Sequence, residues 1–129
     1  MKLPDLEAAL LHLGPGFKKS PDAVQDAIHI EVDEVEFTVV ADATQPQRVA
    51  VCCLFGPIPA DRKTEVLQQI VQNNLELARQ GSTAAFGESD ENLFYVFGTG
   101  PLDAPAFPHT LGDVMRSVAA QAAAWHQTL

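Results

Sequence analysis

RKTEVLQQIVQNNLELARQGSTAAFG, residues 62–87, is the stretch that decides the fold, because an amphipathic helix in it turns directly into a strand. Apolar side chains recur at three- and four-residue spacing between positions 66 and 78, and polar side chains fill most of the other positions. Asp61 is placed to cap the start, and Gly81 is the residue type that ends a helix in a left-handed conformation. The stretch therefore predicts a helix with one buried side.

The length and net charge of the chain limit the classes of protein to which it can belong. It has 129 residues, with eight basic and seventeen acidic side chains and a net charge of −9. This length suits a single domain over residues 1–129. The negative charge makes nucleic acid and anionic membranes poor partners. No apolar run approaches the roughly 18–20 residues of a membrane span, and the N-terminus lacks a secretory signal pattern, so we expect a cytoplasmic protein.

Strands are predicted upstream of this helix. Alternating apolar residues at 28–32 and 35–39 indicate two antiparallel strands joined by a turn at Asp33 and Glu34. Before them, Lys18 and Lys19 lie in a polar connection. The segment 48–55 is apolar on both faces, so either helices cover both faces of the sheet or one face meets another chain.

A hairpin and a helix complete the chain. Residues 84–86 and 93–97 are predicted to form two strands around an acidic turn at 89–92, and the last helix begins near Pro108. Its apolar stripe comprises Leu111, Met115, Val118, Ala122, Trp125 and Leu129. The order α-β-β-β-α-β-β-α predicts an α+β fold in which a twisted, antiparallel, five-stranded sheet is combined with three helices.

A leucine stripe marks a short first helix. Leu3, Leu6, Leu10 and Leu13 are spaced three, four and three residues apart. Such a seam either packs on the protein's own sheet or offers a groove to a partner, and both interpretations hold if the helix lies at an edge.

Residue patterns that would support catalysis or cofactor binding are missing. Cys52 and Cys53 are neighbours in a strand and cannot easily form a disulfide with each other. The histidines occur singly, without metal-ligand spacing, and no phosphate-binding loop is present. We therefore expect no metal, no cofactor and no enzymatic activity, with a small cysteine-dependent enzyme as a remote alternative.

Three segments carry a family resemblance: LFGPIP (54–59), LQQIVQNNLELARQGSTAAFG (67–87) and AAAWHQTL (122–129). The family pattern is L-L-x-x-N-x-L, then a glycine, a strand with phenylalanine, and a tryptophan near the end. On these residues the chain resembles the class I type III secretion chaperones of the CesT/Tir-chaperone family, and the likeness spans nearly the whole chain.

The resemblance implies an acidic bacterial homodimer involved in virulence. Such a protein binds the N-terminal chaperone-binding segment of a secreted effector and keeps it soluble and export-competent. The alternative is an adaptor or regulatory dimer of the same fold that serves no secretion system. A doubly apolar strand and a leucine stripe agree with a binding role, because both leave apolar surface to cover.

Binding residues are assigned from the strict leucine spacing and the adjoining sheet for the effector, and from the long helix and the following strand for the dimer. The effector-binding set is Leu3, Leu6, Leu10, Leu13, Phe94 and Val96. The dimer-interface set, taken partly from the resemblance, is Ile70, Asn74, Leu77, Ala84 and Phe86.

Overall fold

The computed structural model describes residues 2–21 and 26–128, which contain three α-helices and six strands in one antiparallel sheet. The elements are α1 (Leu3–Leu11), β1 (Phe17–Lys19), β2 (Ala27–Val32), β3 (Val35–Ala41), β4 (Val49–Pro57), α2 (Lys63–Arg79), β5 (Ala85–Ser89), β6 (Asn92–Thr99) and α3 (Phe107–Thr128). The strand order across the sheet is β1-β2-β3-β4-β6-β5. The predicted α+β class, the three helices and the antiparallel sheet are confirmed.

The predicted strand count of five is wrong, because β1 adds a sixth strand. Its three residues include Lys18 and Lys19, so no apolar alternation reveals it in the sequence. Only Phe17 is buried, and the Arg116 guanidinium of α3 lies 4.8 Å from the centroid of its ring. Packing of this one side chain, together with pairing to β2, holds the strand in place.

Both predicted hairpin turns are present. Asp33 and Glu34 join β2 to β3 with φ values of 50° and 71°, and Asp90 and Glu91 join β5 to β6 with φ values of 51° and 65°. Two-residue turns with positive φ at both positions match the twist of the flanking strands. These acidic residues therefore fix the register of both hairpins.

The core lies between α1, α3 and one face of the sheet, which we call the inner face. Alternate strand residues point into it. Besides Phe17 and Gly56, the buried strand residues are Ile28, Ile30, Val32, Phe37, Val39, Val49, Val51, Cys53, Phe55, Leu93 and Phe97. On α3, the predicted stripe is buried from Leu111 to Ala122, Trp125 is half-buried, and Leu129 lies outside the described residues.

Helix α2 packs at the β5 edge of the sheet and buries a narrower side than its sequence predicts. Val66 is buried and Ile70 is half-buried, but Leu67, Val71 and Ala78 are exposed although the spacing places them on the buried side. A helix lying at a sheet edge has a neighbour on one side only, so half of a broad apolar stripe remains in solvent.

The ends of α2 differ in how well the sequence predicts them. Asp61 does not cap the helix, because it lies in a 3₁₀ turn (Ala60–Arg62) that precedes it. The predicted glycine end is confirmed: Gly81 has a φ of 76°. Its N–H donates to the Ala78 carbonyl over 3.0 Å, and the Ser82 N–H donates to the Leu77 carbonyl over 2.9 Å. This pair of bonds is a Schellman motif.

Gly81→Ala is expected to lower the free energy of unfolding by about 1 kcal/mol, because a side chain with this φ is strained. No heavy atom lies within 4 Å of the added methyl group, so the loss measures the backbone alone. Gly87→Ala is the matched control, since its site is equally open and carries no positive φ. Urea unfolding followed by circular dichroism measures both, and equal stabilities would contradict the assignment.

Candidate functional site

The leucine stripe of α1 divides into a buried centre and two half-buried ends. Leu6 and Leu10 are fully buried against α3 and the inner face, whereas Leu3 and Leu13 are half-buried. A short helix docks through its central turn, so the central leucines fill the core. The assignment of Leu6 and Leu10 to effector binding is therefore corrected, because neither side chain is accessible while α1 stays docked.

An open groove lies beside the N-terminal end of α1. Its volume is about 190 Å³, and its lining residues are Leu3, Pro4, Glu7, Asp26, Ala27 and Ile28. Strand β1 pairs only with residues 30–32 of β2, so the start of β2 extends past the end of β1 at this place. We call it the α1–β2 groove. Sequence reasoning found Leu3 but missed the rest, because the contact joins residues over 20 positions apart.

Phe94 and Val96 lie on the opposite face of the sheet from the leucines. Val96 pairs with Cys52 in β4, whereas the neighbouring Cys53 is fully buried in the core. Because successive strand residues point to opposite faces, Phe94 and Val96 point away from α1. The expectation that one site joins them to the leucine stripe is wrong.

The face that carries Phe94 and Val96 is apolar around its centre and has no helix over it in the described part of the chain. Val96 is 41% exposed and Val40 is 38% exposed. We call this region the outer apolar patch, and it comprises Val40, Ala50, Cys52, Leu54, Phe94 and Val96. The first explanation for the doubly apolar β4, that helices cover both faces of the sheet, is therefore wrong. The second explanation, contact of one face with another chain, stays a prediction.

The predicted dimer residues form contacts within the chain. Asn74 accepts a hydrogen bond from the Phe86 N–H over 2.7 Å and donates one to the Phe86 carbonyl over 2.9 Å. The Phe86 ring lies 5.4 Å from Phe55 and 4.7 Å from Tyr95, centroid to centroid. All five residues are half-buried: Ile70, Asn74, Leu77, Ala84 and Phe86. Asn74 and Phe86 join α2 to β5, and the role of all five residues in a dimer stays a prediction.

The other side of α2 carries a second apolar stripe. Leu67, Val71 and Leu75 follow each other at four-residue spacing and are 37%, 67% and 51% exposed. No charged residue occurs from position 66 to position 75. We call these three residues the α2 stripe. The spacing is visible in the sequence, but the sequence does not say which side of the helix meets the sheet.

A further apolar groove of about 260 Å³ separates α2 from the end of α3. Phe55, Ile70, Phe86 and Trp125 line it, and the Trp125 ring lies 6.2 Å from that of Phe55. Trp125 thus packs at the margin of the core, as its place in the helix stripe predicts.

The cysteines are poor nucleophiles where the structure places them. Burial raises the pKa of the Cys53 thiol to about 12, with the adjacent Cys52 thiol as a smaller cause. Burial also raises the pKa of Cys52, which is half-buried in the outer apolar patch. At neutral pH both groups are held as thiols, whereas the thiolate is the reactive form. Among residues 2–21 and 26–128, no group of three or more metal-ligating side chains is found.

None of the helices that the structure describes is long and apolar enough to cross a membrane.

Leu10→Ala is expected to lower the free energy of unfolding by about 2–5 kcal/mol, because it leaves a cavity in the core. Leu3→Ala, the same change at a half-buried position of the same helix, should cost about 1 kcal/mol or less. Chemical denaturation of both variants measures the difference. A Leu3 loss as large as the Leu10 loss would contradict the division of the stripe.

Comparison with known proteins identifies the fold. No family model matches the chain, and no curated protein sequence matches it significantly. Among solved structures, it is similar to a chain in the HopA1–SchA chaperone–effector complex, with a TM-score of 0.61 and 13% sequence identity. The match covers 97% of this chain and 90% of that one. At this identity the likeness concerns the fold, and the chain has the fold of this chaperone–effector complex chain, as its sequence predicts.

Proposed function

We propose that the protein is a type III secretion chaperone, which binds the N-terminal segment of a secreted effector and keeps that segment export-competent. The observation that carries the proposal is the match in fold, over nearly the full length, to a chain in a chaperone–effector complex. Exposed apolar surface on an acidic chain supports a binding role. The protein acts by binding and not by catalysis, in the bacterial cytoplasm where effectors are held before export.

The α1–β2 groove is the proposed effector site. Leu3, Pro4 and Ala27 provide accessible apolar walls. Asp26 places negative charge on the rim, whereas Glu7 is paired with Lys19 over 3.7 Å. A segment with an apolar side chain and a nearby basic residue complements both features. Strand β1 is the edge strand beside this groove, so an extended segment can also pair along its backbone. The site keeps Leu3 from the predicted set, with Pro4 and Ala27 as the other accessible apolar residues of the groove.

A second copy of the chain is the proposed occupant of the two uncharged surfaces. A protein with a net charge of −9 associates with itself most readily where it carries no acidic side chains. Neither the α2 stripe nor the outer apolar patch contains a charged residue. Three side chains of the α2 stripe are too few for an interface, since stable dimers bury about 800 Å² per partner. We therefore assign both surfaces to one dimer, and Phe94 and Val96 move from the effector set to the dimer set.

The function is tested by co-expressing the chain with N-terminal segments of secreted proteins encoded next to it. We expect one segment to co-purify, and we expect deletion of the chaperone gene to lower export of that effector. If the captured protein is never exported, the adaptor alternative replaces the secretion role.

Leu3→Asp is expected to weaken capture of the effector segment at least tenfold. The change replaces an apolar contact worth about 2 kcal/mol with a carboxylate that has no partner in the apolar pocket. Calorimetric titration with the captured segment measures the affinity. Val114→Asp is the matched control, because Val114 is an apolar residue on α3, 39% exposed, outside the groove. Equal affinities for the two variants would exclude the α1–β2 groove as the site.

Val71→Asp is expected to convert the dimer to a 13.9 kDa monomer, because it places a charge in the middle of the α2 stripe. Gln72→Asp, on an exposed neighbour outside the stripe, should leave the dimer intact. Light scattering measures the mass. Alkylation of Cys52 at alkaline pH should be faster in the monomer, because dimerisation covers the outer apolar patch. A parent protein that is itself monomeric, or a Val71→Asp dimer, would contradict the assignment.

A further inference from the structure

Strand β5 is an outermost strand of the sheet, and such a strand normally leaves a row of unpaired backbone groups. Those groups are a template for pairing with another strand. The hydrogen bonds of Asn74 occur at this edge. They involve both backbone groups of a single β5 residue, Phe86.

The geometry shows that Asn74 occupies the place of a neighbouring strand. In an antiparallel pair, every second residue directs its N–H and carbonyl away from its partner. Phe86 faces Tyr95 in the ladder, and its N–H and carbonyl are both bonded to the Asn74 amide, so they point outward. The carboxamide has one acceptor and one donor side, and it satisfies both groups at 2.7 and 2.9 Å.

The remaining contacts of α2 do not require Asn74. Val66 is 3% exposed, and the half-buried Ile70 packs against the core through the same side of the helix. These apolar contacts pack α2 against the sheet edge without involving the Asn74 amide. An apolar residue at position 74 would extend the apolar side of the helix. The amide therefore contributes through its hydrogen bonds to β5 and not through burial.

We propose that the Asn74 side chain closes the β5 edge of the sheet against strand pairing with a second copy of this chain. A second copy is the relevant partner because it brings an identical β5, and two such strands align antiparallel about a two-fold axis. Next to Phe86 the strand carries the small residues Ala85 and Gly87, which allow close approach of another backbone. With the edge closed, copies associate only through side-chain surfaces, and assembly stops at a defined size.

The test replaces Asn74 with leucine, which is close in size and cannot form either hydrogen bond. Hydrogen–deuterium exchange of the Phe86 amide and light scattering over a range of concentrations are the measurements. At low protein concentration, we expect the Phe86 amide to exchange about tenfold faster than in the parent. At high concentration, we expect species larger than the parent assembly and renewed protection of the amide.

Two further variants separate edge pairing from other effects. Asn73→Leu makes the same substitution at an exposed neighbour that has no bond to β5, and it should behave as the parent does. Glu88 lies two residues beyond Phe86, so its N–H also points outward. Adding Glu88→Pro to Asn74→Leu removes that donor and should restore the parent mass.

The outcomes decide the proposal independently of any effector. A larger assembly that Glu88→Pro reverses supports edge closure by Asn74. The proposal is overturned if Asn74→Leu keeps the parent's mass at all concentrations. It is also overturned if a larger assembly forms and the added Glu88→Pro change does not reverse it. If Asn74→Leu does not fold, Asn74→Ala, which removes the same bonds with less bulk, is measured with the same two outcomes.

Discussion

The structure depends on the covering of only one face of its sheet. Strand β4 is apolar on both faces, and the pleat sends Val51 and Cys53 into the core while Cys52 and Leu54 point the other way. Helices α1 and α3 pack on the inner face and bury it. The outer face retains an apolar patch, which none of the helices in residues 2–21 and 26–128 covers. This imbalance is the physical reason for proposing that a second chain contacts the outer face.

Helix α2, at the sheet edge, likewise has one covered side and one exposed apolar side. It contacts the fold through Val66, Ile70 and Asn74, and its opposite side presents three aliphatic residues to solvent. An acidic protein tolerates such a surface in water because its other faces carry charge. Where acidic side chains are absent, the surface suits a second acidic chain of the same kind. Where an acidic side chain flanks an apolar groove, as Asp26 does, the groove suits a basic and apolar segment.

The two proposed uses of apolar surface are thus separated in space. The α1–β2 groove adjoins the β1 side of the sheet, whereas α2 lies at the β5 edge. The proposed function needs one surface for the effector segment and another for association with a second copy. The two sheet edges differ in the same way, because the Asn74 side chain is hydrogen-bonded to the β5 edge, whereas in the described part of the chain no side chain is bonded to β1 in this manner.

The sequence by itself determined the local elements and the class of fold. Periodicity placed the helices and most of the strands, acidic pairs placed two hairpin turns, and Gly81 placed the end of α2, because each depends on neighbours in the chain. Tertiary structure alone decided which apolar residues are accessible. Leu10 and Val96 have the same apolar character, but one is fully buried and the other is 41% exposed, because only one sheet face is covered. The three-residue strand β1 and the hydrogen bonds from Asn74 to β5 likewise depend on contacts between segments that are distant in the chain. Local sequence patterns do not encode such contacts.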